Sequence, residues 1–260
     1  MTGTRLPPAP DLFAALRRST PARIGLGRSG DSLPLSAELD LQEAHARARD
    51  AVHGRVDFAA VAAALAPWPV VVVASAAPDR ATYLARPDLG RRLEPADAAK
   101  LQPGPYDLAL VVADGLSAAA IAAHAAPVVS AILAGAPHLK VAPIVLAREA
   151  RVAIGDGIGE RLGARLVAVL IGERPGLSAA DSLGIYLTFA PRIGRRDSER
   201  NCISNVHSGG LSHEAAAQAL LHLARGAVAL GRTGVDLKIE AGAAPTPAFG
   251  VSDAPSPTGG

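Results

Sequence analysis

The chain has 260 residues, which is enough for one large domain or two modest ones. Its 26 basic and 24 acidic residues nearly balance, so nothing attracts it generally to nucleic acid or to anionic membranes. The single cysteine, Cys202, excludes an internal disulfide and fits a reducing cytosol. No export signal is recognisable at the start, and the most apolar stretch, residues 69–77, is too short to span a bilayer. We therefore expect a cytoplasmic protein.

The first part of the sequence, residues 1–66, predicts a small helical region. Residues 1–10 are rich in proline, and we expect them to be loose. Ser36 stands where a side chain caps the start of a helix, and Gly54 stands where that helix ends. Asp57 is placed to cap a second, shorter helix that has apolar residues along one side.

From residue 67 the pattern changes to apolar runs that alternate with helical stretches. This alternation predicts an α/β fold over residues 67–240, with a Rossmann-like doubly wound, mostly parallel sheet that helices cover on both faces. Small residues and proline dominate residues 241–260, for which we expect a disordered tail. The predicted strands are residues 69–75, 107–113, 140–147, 164–172, 182–190 and 202–206.

Sheets of this kind bind ligands in the crevice outside the carboxyl ends of their strands. Asp114 follows one predicted strand and precedes a helix, so it can bind a ligand or cap that helix, and capping is the preferred interpretation. We expect the functional site among the strand ends, which are Ser75, Asp114-Gly115, residues 148–152, residues 172–175 and Pro191.

A loop at residues 20–34 is dense in glycine, serine and proline. Its Arg23 and Arg28, together with three glycines, predict an anion-binding nest or a contact between subunits. A tight structural loop explains the same composition equally well. The sequence leaves these alternatives open.

The segment IGDGIGERLG, residues 154–163, precedes the predicted strand that ends before Glu173. Glycines there allow the backbone to approach a phosphate at the start of a helix, and a carboxylate about 20 residues further on is typical of ribose binding. The spacing G-x-G-x-G departs from the dinucleotide fingerprint, and glycines that let a helix pack closely on the sheet give the same pattern. The first interpretation predicts a stand-alone NAD(P)-binding oxidoreductase.

Two further residues near predicted strand ends are candidates for ligand contact. Glu173 can accept hydrogen bonds from a ligand, or it can form a solvated pair with Arg174. Cys202 begins an apolar strand, and its preferred interpretation is a small buried hydrophobic residue. Arg200 nearby keeps a reactive thiol as the alternative.

The sequence shows no self-sufficient catalytic or metal-binding constellation. His213-Glu214 begins like a zinc-binding helix, but Ala217 stands where the second histidine is needed. The seven histidines otherwise show no ligand spacing, and we find neither a nucleophile elbow nor a P-loop. The residue patterns by themselves predict an α/β domain that binds a nucleotide-like ligand.

Several segments, taken together and in order, resemble the light chain, or small subunit, of ethanolamine ammonia-lyase. The resemblance runs from about residue 11 to about residue 240, and its most specific part is LIGERPGL followed by NCISN. The segments that carry it are TPARIGLGRSGDSLP, AHARARDAVH, APDRATYLARPDLGRRL, VVADGLSAAA, RVAIGDGIGERLGA, LIGERPGLSAADSLG and ERNCISNVHSGGLS.

This resemblance implies an enzyme that converts ethanolamine to acetaldehyde and ammonia by radical chemistry on adenosylcobalamin. It implies a large TIM-barrel subunit that holds the substrate, and a small subunit whose Rossmann-like domain helps to enclose the cofactor. Both chains are then needed for activity. A further alternative is a non-catalytic assembly protein that only stabilises a large partner.

The resemblance also implies three cofactor-binding positions, and it implies no catalytic residue and no metal ligand in this chain. These positions are Val152 in RVA, Glu173 in IGERPGL and Cys202 in NCISN. Glu173 would accept hydrogen bonds from the cofactor, whereas Val152 and Cys202 would pack against it or use backbone groups. The D-x-H-x-x-G signature of some other cobalamin enzymes is absent. The resemblance implies that this family does not use it and binds cobalamin with its own benzimidazole still on cobalt.

Members of the family often begin with a longer extension that directs the enzyme into a bacterial microcompartment. Only residues 1–10 precede the matched region here. We therefore expect a cytoplasmic location, with a microcompartment as the alternative.

Overall fold

The structure is a computed structural model that describes residues 11–238, so the expectations for residues 1–10 and 241–260 lie outside the described residues. The described chain is a mixed α/β protein. Its strands are β1 Val70–Ala74, β2 Leu108–Ala113, β3 Ile144–Arg148, β4 Leu166–Gly172, β5 Leu183–Phe189 and β6 Asn201–Val206.

The described strands form a mostly parallel sheet in the order β1-β3-β2-β4-β5-β6. The first four run parallel to one another, and β5 and β6 extend the sheet through antiparallel pairing. The carboxyl ends of the parallel strands share one edge, where Ser75, Asp114 and Gly172 lie as predicted. The expectation for Pro191 is wrong, because β5 runs the other way and Pro191 follows it at the opposite edge.

The observed strands agree with the sequence prediction to within a few residues. The largest difference is in β3, for which the apolar run predicts residues 140–147, whereas the strand begins at Ile144. Pro143 precedes it, and a proline has no N–H group to donate to a neighbouring strand. Before Pro143, only Val141 pairs with the sheet, through a single bridge to Leu108.

The sheet separates two apolar clusters, each covered by helices. Leu110 and Leu170 belong to the cluster that α3 (Phe58–Ala64), α6 (Ala126–Gly135) and α8 (His213–Leu230) cover. Val111 and Val169, which are the immediate neighbours of these leucines on the same strands, belong to the cluster that α7 (Ile154–Leu162) covers. Alternating side chains of fully buried strands therefore serve both faces. The helices are α1 Ala14–Ser19, α2 Leu35–His53, α3 Phe58–Ala64, α4 Arg80–Ala85, α5 Ala118–Ala120, α6 Ala126–Gly135, α7 Ile154–Leu162 and α8 His213–Leu230.

Of the amino-terminal helices, α3 packs against this sheet. Asp57 caps α3 as predicted, because its carboxylate accepts hydrogen bonds from two first-turn amides at 3.0 and 3.1 Å. The prediction that Ser36 caps α2 is wrong, since α2 already begins at Leu35. Phe58 and Val61 of α3 are buried in the same apolar cluster as the sheet. The predicted domain boundary between residues 66 and 67 stays a prediction.

The helical segment Ala118–Gly135 is long and apolar enough to cross a membrane by length and composition, and half of it is buried inside the protein. This segment, rather than residues 69–77, is therefore the long apolar stretch of the chain. It packs against the sheet and α8, which accounts for its composition as a core helix. A π turn, Ile121–Ala125, separates α5 from α6, and such turns are frequent at functional sites.

Candidate functional site

A pocket of about 670 Å³ opens at the carboxyl edge of the sheet. Its wall is formed by residues of α4, the turn after β2, the turn before α7, the residues after β4 and the loop before β6. This is the edge at which α/β sheets bind ligands. The volume falls in the range of about 300–1,000 Å³ that is usual for small-molecule sites.

Two glycines bring the turn after β2 against the end of β4 and so form part of the wall. Gly115 has a φ of +60°, and a Cβ atom there would lie 2.3 Å from the carbonyl oxygen of Gly172. A Cβ atom on Gly172 would lie 2.2 Å from the carbonyl oxygen of Ser117. Any side chain at either position would therefore collide with backbone, which is why glycine is needed at both.

Asp114 ties the turn after β2 to the turn after β3. Its carboxylate accepts hydrogen bonds from the N–H groups of Gly115, Glu149 and Ala150 at 2.9, 2.8 and 2.9 Å. The preferred sequence interpretation of Asp114 as a helix cap is wrong, because Ser117 caps the following helix. Burial raises the pKa of Asp114 to about 6. The residue is thus a structural acid beneath the pocket.

Val152 and Glu173 both lie on the pocket wall. Val152 is in the turn before α7 and packs against the apolar cluster on that face of the sheet. Glu173 directly follows β4, and its carboxylate accepts a hydrogen bond from the Ser182 hydroxyl at 2.5 Å. Its partner is therefore Ser182 rather than the exposed Arg174. The structure brings both residues to one pocket, and their contact with a cofactor stays a prediction.

Cys202 lies on β6, outside the wall itself. It pairs with Tyr186 of β5, which does line the pocket. The interpretation of Cys202 as a buried hydrophobic residue is wrong, because its side chain is exposed on the edge strand. Partial desolvation against the sheet nevertheless raises the pKa of its thiol, which disfavours a reactive thiolate at neutral pH.

The glycine-rich segment forms helix α7 and not a phosphate-binding turn. A Cβ atom on Gly155 would lie 2.4 Å from Cγ2 of Val169, and one on Gly159 would lie 2.5 Å from Cγ of Pro191. The glycines therefore let α7 pack closely on β4 and on the end of β5. This is the second of the two sequence interpretations, and it removes the turn on which the NAD(P)-binding alternative depends.

A buried ion pair joins α7 to the residue that precedes β6, at the pocket. The guanidinium of Arg200 donates to both carboxylate oxygens of Asp156 at 2.6 and 2.7 Å, and to the Thr188 hydroxyl at 3.0 Å. The side chains of Arg200 and Asp156 are only 2% and 4% exposed. Sequence spacing could not reveal this pair, because the two residues are 44 positions apart.

Two arginines stack on the buried ring of Tyr83, with guanidinium carbons 4.9 Å (Arg80) and 4.5 Å (Arg151) from its centroid. Arg80 is held in addition by the carbonyl of Gly115 at 2.8 Å and by the carboxylate of Glu149 at 3.3 Å. Tyr83 and Arg151 line the pocket. Sequence reasoning missed this group, although the three-residue spacing of Arg80 and Tyr83 on α4 was a signal for it.

A second polar cluster lies away from the pocket. His124 lies in the π turn. Its Nδ1 atom is 3.0 Å from Nε2 of His213, and its Nε2 atom is 3.3 Å from Oδ2 of Asp181. Spacing along the sequence does not reveal this pair, because its members are 89 positions apart. Asp181 borders a separate depression between α2 and residues 176–181.

The fold and the pocket define the class as a mixed α/β protein with an open ligand pocket at the carboxyl edge of a mostly parallel sheet. Comparison with known proteins identifies the family within this class. The family model of the ethanolamine ammonia-lyase light chain matches residues 10–238. This chain therefore belongs to the ethanolamine ammonia-lyase light-chain family, and the resemblance on the sequence segments is confirmed.

Three curated relatives are all ethanolamine ammonia-lyase small subunits. The one from Pseudomonas syringae pv. tomato is 52% identical over 236 residues, which cover 87% of this chain and 82% of that protein. Those from Ralstonia nicotianae and Azotobacter vinelandii are 53% identical over 236 residues and 52% identical over 247 residues. The match to the Ralstonia protein covers 87% of both chains, and the match to the Azotobacter protein covers 91% of this chain and 92% of that protein. The chain is a lyase subunit, and a small subunit implies a complex with a large one.

Proposed function

We propose that this chain helps to bind adenosylcobalamin at its interface with the large subunit of ethanolamine ammonia-lyase, which converts ethanolamine to acetaldehyde and ammonia. The observation that carries the proposal is the pocket at the carboxyl edge, on whose wall Val152 and Glu173 both lie. Cys202 is next to Tyr186, another residue of that wall. The three positions implied by the family resemblance are thus grouped around one opening.

The size of the pocket fits part of a corrinoid. Pockets of about 300–1,000 Å³ take drug-sized molecules, and adenosylcobalamin is larger than these. At about 670 Å³, the pocket can cover one portion of the cofactor only. The remainder needs a second chain, which supports a site shared between two subunits.

The chemistry of the wall also fits. The edge of a corrin ring carries amide side chains, whose N–H groups need hydrogen-bond acceptors. Glu173 offers a carboxylate there, and Ser182 holds one of its oxygens while the other has no hydrogen bond within residues 11–238. Val152 and Ile171 supply apolar surface beside it. Binding, orientation and exclusion of water are therefore the tasks of this chain.

The cofactor supplies the radical when it is bound. In this proposal the sheet is Rossmann-like and doubly wound, and a TIM-barrel large subunit holds ethanolamine. We assign no catalytic group to this chain, and we expect the complex in the cytoplasm, with a microcompartment as the alternative location.

The proposal is tested by measuring ethanolamine turnover and adenosylcobalamin binding with three preparations: this chain alone, the large subunit alone and the complex. We expect turnover only from the complex, because residues 11–238 bring no self-sufficient catalytic constellation to this pocket. We also expect the complex to bind the cofactor more tightly than either subunit alone. Steady turnover by the isolated chain would contradict the proposal.

The same preparations separate the alternatives. If the large subunit alone binds adenosylcobalamin as tightly as the complex does, this chain is an assembly protein. If the isolated chain binds NAD(P) in a titration, the oxidoreductase alternative is supported. The packing of α7 against β4 speaks against that second outcome.

A further inference from the structure

Arg151 lies on the pocket wall, and no other described residue forms an ion pair or hydrogen bond with its guanidinium. It lies in the turn between β3 and α7, directly before Val152. Within residues 11–238 its guanidinium forms no hydrogen bond or ion pair, and its Nε atom is buried without a partner. Buried polar groups in folded proteins are nearly always paired, so an unpaired one on a pocket wall indicates a missing ligand group.

Arg151 is nevertheless held in place. Its guanidinium stacks over the ring of Tyr83 at 4.5 Å, and the backbone N–H group of Arg151 donates to the carbonyl of Gly90 at 2.8 Å. A Cβ atom on Gly90 would lie 3.0 Å from Cγ of Arg151, so the glycine makes room for the side chain. Stacking leaves the positive charge free, and the fixed geometry lowers the entropy lost when an anion binds.

The other basic residues on the wall differ from Arg151. Arg200 forms ion pairs with two carboxylates, one of them Asp197, and Arg91 is 3.5 Å from Asp197. Arg174 is exposed, and no contact holds it in place within the part of the chain that the structure describes. Arg151 is thus the basic side chain on this wall that is both fixed and unpaired.

Glu173 does not cancel this charge. It follows β4, whereas Arg151 follows β3, and β2 lies between these two strands. Two strand spacings correspond to roughly 10 Å. The pocket therefore offers a cationic end at Arg151 and a hydrogen-bond acceptor at Glu173, which are distinct positions along one wall.

We infer that Arg151 is the anion-binding residue of the pocket and that it takes a phosphate group. The inference rests on the proposed function: with adenosylcobalamin in this pocket, the phosphate is the phosphodiester of the nucleotide loop, the anionic group of an otherwise amide-rich cofactor. A guanidinium donates two parallel hydrogen bonds to two phosphate oxygens. Arg151 and Glu173 together then fix which way round the cofactor lies against this chain.

The test uses the complex with the large subunit and two ligands, adenosylcobalamin and adenosylcobinamide, the second of which lacks the phosphodiester and its nucleotide. Equilibrium dialysis with detection by visible absorbance measures both affinities at one ionic strength. We expect Arg151→Gln to weaken adenosylcobalamin binding by about 10- to 100-fold. The affinity for adenosylcobinamide should stay nearly unchanged, because that ligand has no group for Arg151 to bind.

Two further variants keep the test decisive. Arg151→Lys retains the charge but not the paired geometry, so it should lie between wild type and Arg151→Gln, and it replaces Arg151→Gln if that variant fails to assemble. Arg165→Gln is the matched control, because Arg165 also stacks on an aromatic ring, 5.9 Å from the Phe189 centroid, but precedes β4 at the opposite edge. This control should leave both affinities unchanged.

Equal weakening of both corrinoids by Arg151→Gln would overturn the inference, because it would indicate a structural role for the stack on Tyr83. Unchanged binding of both ligands would overturn it as well. A wild-type complex that does not bind adenosylcobalamin would instead overturn the proposed function, so the two failures are distinguishable.

Discussion

Glu173 combines an open position with a fixed carboxylate, since the Ser182 hydroxyl holds one of its oxygens at 2.5 Å. We expect Glu173→Ala to weaken adenosylcobalamin binding to the complex by about 10- to 100-fold, the usual effect of losing one charged hydrogen-bond acceptor. Glu173→Gln keeps one acceptor oxygen and should lose less. Cofactor titrations measure the affinity, and turnover at saturating cofactor should largely recover in both variants.

Two control variants for this prediction change the hydrogen-bond partner of Glu173 and its neighbour along the chain. Ser182→Ala removes the hydroxyl that positions the carboxylate and should weaken binding less than Glu173→Ala does. Arg174→Gln should change the affinity little, because Arg174 is exposed and is not the partner of Glu173. Equal affinities for wild type and Glu173→Ala would remove Glu173 from the site.

Asp114 links the stability of the protein to pH. Burial raises the pKa of its carboxyl group from the ordinary 3.8 to about 6, so the folded protein holds this proton more tightly than the unfolded chain. The resulting stability is present in full below pH 3.8 and is lost as the pH rises through about 6. A difference of this size corresponds to about 3 kcal/mol in the free energy of unfolding.

Asp114→Asn removes this titration. Its amide nitrogen also cannot accept a hydrogen bond from the N–H group of Glu149, so we expect a loss of about 1–3 kcal/mol at neutral pH. Urea unfolding between about pH 4 and about pH 7 measures the free energy of unfolding of both proteins. The excess of wild type over the variant should be largest at about pH 4. Parallel pH profiles for the two proteins would contradict this assignment.

The ion pair of Asp156 with Arg200 joins α7 to the start of β6, and both side chains are almost completely buried. Asp156→Ala leaves the buried guanidinium without its two-oxygen partner, and breaking such a pair typically costs about 3–5 kcal/mol. We expect a loss of that size in the free energy of unfolding, measured by denaturant titration of the purified chain. Because Arg200 also lines the pocket, the same change should loosen the pocket wall.

An exposed ion pair provides the matched control. Arg232 and Asp236 are 3.4 Å apart, with side chains that are 61% and 54% exposed. Asp236→Ala should therefore cost less than about 1 kcal/mol. Losses of equal size in the two variants would show that burial is not what makes the pair of Asp156 with Arg200 important.

In the molecule as a whole, the sheet separates two apolar clusters, and polar and charged side chains lie at its carboxyl edge. The ends of the parallel strands contribute to this edge, among them Asp114 after β2 and Glu173 after β4. The pocket formed there is open and smaller than the proposed cofactor. Under the proposed function, the cofactor site therefore needs surface from a second subunit as well.

The sequence by itself determined the features that depend on neighbours along the chain. Apolar runs set off by proline and glycine predicted the strands, and the motifs around Val152, Glu173 and Cys202 identified the family. The direction of β5 was also within reach, because residues 173–182 are too few for the crossover that a parallel strand needs. A loop of that length favours an antiparallel neighbour, which carries Pro191 away from the site.

Only the tertiary structure decided which distant residues meet. Asp114 binds an amide 36 positions away, Asp156 pairs with Arg200 across 44 positions, and His124 reaches His213 across 89. The separation of two residues along the sequence does not predict their distance in space, because the crossovers between strands decide which strand ends become neighbours. That Arg151 has no partner within residues 11–238 became visible for the same reason, since it is recognisable only when the neighbouring described groups are in place.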